Sequence, residues 1–404
     1  MNDQLNIFHQ NAPDFLDEIM GFDAFGGETI IDENNATRYY INEFWTSRQR
    51  QAHKIHEVSY RACFKPQLPG FFIPRLSNPG DIVYDPFMGR GTTPLQAALT
   101  DRVAYGNDIN PLSKTLVEPR LNTPCLSAIA QRLQEIPWEK FQEFENEELL
   151  TFFHPQTLAR IEGLRLWLLK RDQAGLIDST DKWIRMVAIN RLTGHSPGFF
   201  SVYTLPPNQA VSVESQKKIN AKRNQSPPFR DVPSLILKKS KSLLADGGVC
   251  NKQSKLLTKP AMETHEIADE TVTLTVTSPP FLDIVSYNDD NWLRCWFIGM
   301  ESGSVKIDTH HCVEDWQDFV ADTLKELVRL TKSGGHIAFE VGEVRNGRIK
   351  LEDHVIAAAS GLPLEILGVM INQQDFTKTS NCWGVSNNTR GTNTNRIVIM
   401  RKQS

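Results

Sequence analysis

The run DIVYDPFMGRGTTPLQAALTDRVAYGND (81–108) limits what this chain can fold into more than any other part of it. DIVYD reads as a short buried strand. The turn after it carries Gly89 and Gly91, and glycines there let the backbone reverse sharply and approach a ligand closely. TTPLQAALT has the apolar spacing of a helix. VAYGND (103–108) is a second strand, and Asn110–Pro111 breaks the chain before a further helix. Strand, helix, strand, helix is the start of a parallel sheet with right-handed crossovers.

The alternation then stops and later resumes. Between 115 and 200, LSAIAQRLQEI, PQTLARIEGLRLWLLKR and DKWIRMVAINRL have helical spacing, and GHSPGFFSVYTLPPNQAVS (194–212) predicts irregular backbone. From TVTLTVTSPPF (271–281) the αβ pattern returns. A strand leads to helix 316–331, then Ser-Gly-Gly, strand HIAFEVG (336–342), helix EDHVIAAAS, and strands LEILGVMI and TNRIVIMR. One sheet interrupted by an insertion of about 150 residues follows from this pattern. The expected boundaries are an N-terminal extension over 1–50, a core formed by 51–115 with 240–404, and an inserted region over 116–239.

The glycine turn opens a helix, whose N-terminus presents unpaired N–H groups to a polar ligand. Asp108 stands 17 residues after Gly91, at the end of the second strand, where a carboxylate suits the hydroxyls of a ribose. The spacing is not GxGxxG and no Lys follows it, which disfavours NAD and ATP and leaves another nucleoside-containing cofactor.

SPPF (278–281) ends the strand of 271–277. Two prolines fix the turn and remove two N–H donors, so the carbonyls and the Ser278 hydroxyl are left as acceptors beside the ring of Phe281. Such a site suits a planar ligand bearing an amino group, held by its NH2 and stacked on one face. The same tetrapeptide at 226–229 follows KKINAKRNQ, which is no strand, and reads as a solvated basic turn.

The net charge of −4 conceals an asymmetry: residues 182–260 hold fourteen Lys or Arg against three acids. A basic block in an otherwise acidic chain points to a polyanion, or to a solvated lysine-rich loop. Lys217, Lys218, Lys222 and Arg223 are its densest cluster, and Arg390 in the polar stretch 381–396 is a further candidate for phosphate contact.

Taken together, DPFMGRGTT with Asp108 and then TSPPF resemble the cofactor and catalytic motifs of amino-methylating DNA methyltransferases of bacterial restriction–modification type. RACFKPQLPGFFI (61–73) resembles the family segment that covers the methionine end of the cofactor, and the resemblance spans about 61–113 and 271–401. It implies an α/β class I methyltransferase fold, Rossmann-like, with a seven-stranded mixed sheet whose last strand is antiparallel. It implies S-adenosylmethionine as cofactor, lined by Lys65, Pro66, Asp85, Pro86, Phe87, Gly89, Gly91, Thr92, Thr93, Asp108 and Asn110. It implies that Ser278, Pro279, Pro280 and Phe281 receive a base flipped out of double-stranded DNA, with the basic, mainly helical insert recognising the target. Ser before Pro-Pro favours cytosine N4 over adenine N6 in that family. A cognate restriction endonuclease acting on the same site is an implied partner. The third cofactor segment is harder to place, with Asp246 the candidate.

Alternatives stay open at this point. Adenine N6, a base in RNA, and a DNA-binding protein without catalysis all fit part of the pattern. Cytosine C5 methylation needs a Cys nucleophile after Pro. Pro124–Cys125 lies instead where a loop enters a helix. His154 has no partner at ligand spacing and reads as structural, no metal is required, and Trp292 and Trp296 read as core. Six scattered cysteines without CxxC suggest a reducing cytoplasm, and no apolar run reaches transmembrane length.

Overall fold

A computed structural model of the chain describes residues 14–34, 37–46, 52–60, 63–204, 210–280, 287–301, 303, 312–344, 349–373 and 395–404. The chain opens with α1 (Phe15–Met20), β1 (Ile30–Asn34) and β2 (Thr37–Asn42), followed by α2 (Gln67–Leu76). The αβ run then delivers β3 (Ile82–Asp85), α3 (Thr92–Leu99), β4 (Val103–Asn107) and α4 (Pro111–Leu121), as the sequence pattern predicts. Helices α5 (Leu126–Glu135), α6 (Pro155–Gln173), α7 (Ser179–Ile189), α8 (Val213–Arg223) and α9 (Val232–Leu243) make up the middle of the chain. The second αβ run is β5 (Lys255–Leu257), β6 (Val272–Thr277), α10 (Tyr287–Phe297), α11 (Val313–Leu330) and β7 (Thr331–Val341). A small hairpin β8 (Glu343–Val344) and β9 (Ile349–Lys350), then α12 (Leu351–Ala358), β10 (Leu364–Asn372) and β11 (Asn395–Lys402) complete it. No described helix is long and apolar enough to cross a membrane.

The main sheet runs β1-β2-β10-β11-β7-β6-β3-β4-β5. From β5 to β7 neighbouring strands are parallel, and β11 is antiparallel to both β7 and β10. Seven of the strands therefore form the expected mixed sheet, with its last strand antiparallel, but the sheet has nine. The two extra ones come from the N-terminal segment. β2 pairs parallel to β10 from Val369↔Tyr39 to Asn372↔Asn42, and β1 folds back on β2. Asn372 secures the join: its Oδ1 accepts from the backbone N–H groups of Phe44 (2.8 Å) and Trp45 (3.2 Å). Two further differences lie in the strands. Ser-Gly-Gly falls inside β7 as a bulge, where the register with β6 jumps from Val272↔Thr331 to Leu274↔His336. The three-residue β5 lacks the length for an apolar pattern.

Period-two alternation packs both faces of the sheet. On β7 and β11, Ile337, Phe339, Val341, Val398 and Met400 face α11 and α12, while Ala338, Ile397 and Ile399 face the other side, with α2, α3 and α4. Helix α11 meets the first face with Trp316, Phe319, Val320, Thr323, Leu324, Leu327 and Leu330, an i, i+3, i+4, i+7 stripe. The inserted helices share the second core. Ile129, Leu133, Ile161, Leu164, Trp183, Val187 and Ile236 belong to the same buried cluster as Leu95 and Leu116. Tryptophans 292 and 296 pack against it, as expected. His154 caps α6 by accepting from Gln156 N–H, the structural role read for it.

Candidate active site

The chain leaves β3 toward β4 on one side of the sheet and returns to β6 on the other, so the C-terminal ends of β3 and β6 flank the switch point where α/β sheets bind ligands. Four polar groups converge on this edge: Asp85 ending β3, Asp108 after β4, Ser278 after β6 and Glu340 in the last turn of pleat of β7.

The glycine loop is held by backbone and carboxylate bonds. Met88 N–H donates to Asn107 O (2.9 Å) and Gly89 N–H to Asp108 Oδ2 (2.9 Å), and Asp108 Oδ1 accepts from Asn110 N–H (2.8 Å). Gly89 and Gly91 have φ of +48° and +78°. A Cβ on Gly91 would lie 2.5 Å from Val117 Cγ2, so that glycine is needed for conformation and for packing on α4. Asp108 remains half-buried, and burial pushes its carboxyl above the ordinary range. Each of its oxygens uses one lone pair within the loop and keeps another for a hydroxyl donor. Asn110 spends its side-chain oxygen capping α4 at Leu112 N–H (3.0 Å).

Residues 58–60 and 63–66 lie beside the loop, held by cations that are themselves buried. Arg90 donates to Val58 O and Phe64 O (both 3.2 Å), and Arg120, fully buried, donates to Ile55 O (3.2 Å), Leu116 O (2.8 Å) and Arg90 O. Lys65 stands half-exposed at the end of this segment, its pKa lowered by burial and by Arg90, and Pro66 begins α2.

Asp85, Thr92 and Thr93 were expected to line the cofactor site, but they are 1%, 2% and 0% exposed and lie behind the loop. Their contacts explain why. Thr277 hydroxyl donates to Asp85 Oδ1 (2.7 Å), and Phe87 N–H donates to the same oxygen (3.0 Å). Thr93 hydroxyl donates to Val276 O (2.9 Å). Asp85 and Thr93 thus clamp the glycine loop to the two residues that precede Ser278. Burial pushes the Asp85 carboxyl up to about 7, even with the Thr277 and Phe87 donors acting to lower it. Pro86 O accepts from Asn107 Nδ2 (3.3 Å), and Phe87 packs its half-buried ring on Phe319 of α11, centroids 5.6 Å apart.

The turn at 278–280 is also pinned. Trp316 Nε1 donates to Pro280 O (2.8 Å), while Ser278 remains half-exposed, its hydroxyl countering part of the upward push that burial gives the Glu340 carboxyl. Glu340 accepts from Asn395 Nδ2 (3.0 Å). Thr277, Trp316, Glu340 and Asn395 were missed from sequence. Glu340 alone left a signal, as a carboxylate inside the apolar strand HIAFEVG. Phe281 and Arg390 lie outside the described residues.

KKINAKRNQ is no strand, as read, and is mostly helix: Lys217, Lys218, Lys222 and Arg223 are exposed on α8, and Arg223 stacks 3.8 Å from the Tyr203 ring centroid. Four other cations of the basic block are paired, in Lys182–Glu118, Arg185–Asp172, Lys239–Glu57 and Lys259–Glu266. Asp246 is an exposed loop acid whose Oδ2 accepts from Lys54 N–H (2.8 Å). Strand β5 ends beside β4, where the Asn107 side chain and the Lys259 backbone exchange hydrogen bonds (2.9 and 3.1 Å). The second SPPF is a surface turn whose Phe229 is 44% exposed, in keeping with no catalytic part. Cys125 is the exposed N-cap of α5, one of the inserted helices, and not at the ends of β3 and β6.

Strand order β5-β4-β3-β6-β7-β11-β10, one antiparallel strand, and a glycine loop after the first strand define a class I methyltransferase fold. Residues 10–118 match the N6/N4 methyltransferase family, described as DNA methylase. The chain is similar to Type II methyltransferase M.MjaII of Methanocaldococcus jannaschii, 40% identical over 74 residues, covering 18% of this chain and 14% of that protein. It is similar also to Type II methyltransferase M.MvaI of Kocuria varians, 23% identical over 286 residues, covering 63% of this chain and 57% of that one. The chain thus resembles DNA methyltransferases of restriction–modification type, as its motifs imply, and spans little more than half of the longer match. Among solved structures, TrmN from Thermus thermophilus aligns with a TM-score of 0.32 at 14% identity over 85% of this chain and 50% of that one. An rRNA methylase from Streptococcus thermophilus aligns with a TM-score of 0.34 at 9% identity over 85% and 99%.

Proposed function

We propose that this protein transfers a methyl group from S-adenosylmethionine to the N4 amino group of a cytosine flipped out of double-stranded DNA. The observation that carries the reading is the clamp between the two motifs: Asp85–Thr277 and Thr93–Val276 hold the glycine loop against the turn that presents Ser278.

The residues fit such a cofactor. Asp108 offers a half-buried carboxylate with lone pairs left for ribose hydroxyls, and Lys65 offers a cation for a carboxylate. Gly89 and Gly91 keep the backbone of the loop compact. When bound, S-adenosylmethionine supplies a methyl group on a positively charged sulfur. The chain supplies position: Ser278 Oγ and the Pro279 carbonyl accept the two N–H bonds of the amino group and turn its lone pair outward. Alignment of this kind is worth on the order of 7–11 kcal/mol of barrier. The α8 cations contact phosphate and hold the duplex, and extrusion of the base brings it to the turn. The inserted region over 116–239 then serves recognition while sharing the catalytic core.

The test is to offer labelled S-adenosylmethionine with unmethylated double-stranded DNA and, in parallel, with RNA. Label in DNA alone is expected. Label confined to RNA would mean that the basic helix serves a different polyanion, and label in neither would overturn the assignment.

A further inference from the structure

The second SPPF, at 226–229, has no part in the proposed chemistry, and its Phe229 is the exposed aromatic among the described residues of the insert. A single exposed ring is ordinary by itself. This one is set apart by how firmly it is held. Pro227 and Pro228 fix the backbone before it. Upstream, Gln225 Nε2 donates to Tyr203 O (3.0 Å) and to Asn220 Oδ1 (2.8 Å). Downstream, the Thr157 hydroxyl donates to Arg230 O (3.1 Å) and accepts from Arg230 N–H (2.8 Å). The Phe229 ring meets His154 edge-on at 5.9 Å and the Arg160 guanidinium at 5.4 Å. His154 is itself fixed as the N-cap of α6, and Arg160 is paired with Asp231 (2.5 Å). Little conformational entropy is left to lose when the exposed part of the ring meets a ligand.

The surroundings say what that ligand is. The turn continues directly from α8, where Lys217, Lys218, Lys222 and Arg223 are exposed. Tyr203, whose carbonyl holds Gln225, carries the Arg223 guanidinium on its ring. Asp231, the acid that flanks the turn, is taken up by Arg160. This surface therefore suits a polyanion that also offers flat apolar faces, as bases stacked between phosphates do. It is also tied to the active site. Asn220 Nδ2 donates to Thr151 O (2.8 Å), and the next residue, Phe152, packs on Trp292 of α10 with centroids 6.1 Å apart. Helix α10 is the first helix after the Pro-Pro turn, and its Arg294 donates to Ser59 O (3.1 Å) beside the glycine loop.

We infer that Phe229 is a wedge that enters the base stack of the bound duplex while the α8 cations hold its backbone. This rests on the function proposed above. Opening a base step bends and loosens the duplex, which lowers the cost of extruding the target base. The two SPPF turns then divide the work: the first receives the extruded base, and the second contacts the DNA that it leaves.

The test uses the full chain and a duplex fragment that the wild type methylates, with 2-aminopurine placed at successive positions to report unstacking. Binding is measured at several salt concentrations for wild type, Phe229→Ala and Phe229→Tyr, and affinity for S-adenosylmethionine is the control for folding. Wild type should brighten 2-aminopurine at a step apart from the target base. Phe229→Ala should abolish that signal and bind about tenfold or more weakly, with the slope of log affinity against log salt unchanged. Phe229→Tyr should retain both the signal and the affinity. Phe229→Ala binding as tightly as wild type, a slope that falls along with affinity, or no unstacked step apart from the target would each overturn the inference. So would Phe229→Tyr as weak as Phe229→Ala, since the ring would then serve only to pack on His154 and Arg160. All four leave the proposed function intact, because the wild type still methylates the fragment. A wild type that methylates no DNA would remove both.

Discussion

Asp85 joins the two halves of the site through one carboxylate oxygen, and its burial makes it sensitive to pH. Its carboxyl is raised from 3.8 to about 7. Between those values the folded chain keeps a proton that the unfolded chain has released, so stability falls as pH rises through the window and stays low above it. Asp85→Asn keeps an oxygen for Thr277 and Phe87 and has no charge to bury. It should therefore be more stable than wild type at about pH 8.5, by on the order of 1–4 kcal/mol, with the gap closing toward about pH 4. Denaturant unfolding at both pH values measures this, and an equal gap at both would contradict the burial account. The sequence showed that Asp85 matters but not what it does. DPF beside a glycine turn suggests a ligand contact, whereas its partner Thr277 lies 192 positions away and becomes visible only in the fold. Trp316 and Asn395 were hidden for the same reason: each reaches the site by tertiary contact alone.

The elements that were legible are those with a strong local period. The amphipathic stripe of α11, the alternating strand β11, the second half of β7 and the strand–glycine–helix unit of β3 and α3 lie where the pattern placed them. The elements missed have little local signal. β5 has three residues, all half-buried, and α8 buries only Gln216, so neither has an apolar rhythm to detect. Helix α8 is held by polar contacts instead: Gln216 Nε2 donates to Tyr203 O (3.1 Å) and Asn220 Nδ2 to Thr151 O (2.8 Å). The glycine loop gives the sharpest test at this scale. Gly91→Ala places a Cβ 2.5 Å from Val117 in a left-handed conformation, and should cost about 2–4 kcal/mol. Adding Val117→Ala should recover the part due to the clash and leave the part due to φ. An unfolding midpoint unchanged by Gly91→Ala would show that α4 does not pack as described.

Charge and core are properties of the whole molecule, and here they are divided unevenly. The net charge of −4 belongs to a chain whose insert carries the cations; Lys182, Arg185, Lys239 and Lys259 are in ion pairs, while Lys217, Lys218, Lys222 and Arg223 stand exposed together on α8. Sequence composition located the block but could not separate paired from exposed cations. Reversing Lys217, Lys218 and Lys222 to Glu should weaken DNA binding and lower the slope of log affinity against log salt by roughly 2–3, with affinity for S-adenosylmethionine unchanged. An unaltered slope would move the DNA to another surface. The N-terminal strands extend the sheet from its far edge, and the inserted helices pack into the same core as the catalytic elements, so the site sits in one continuous structure. The central claim concerns the base at Ser278, and digestion of the methylated DNA to nucleosides, with mass identification of the labelled one, tests it most directly. The account predicts N4-methylcytosine. N6-methyladenine in its place would keep the amino-acceptor turn and contradict the base assigned to it.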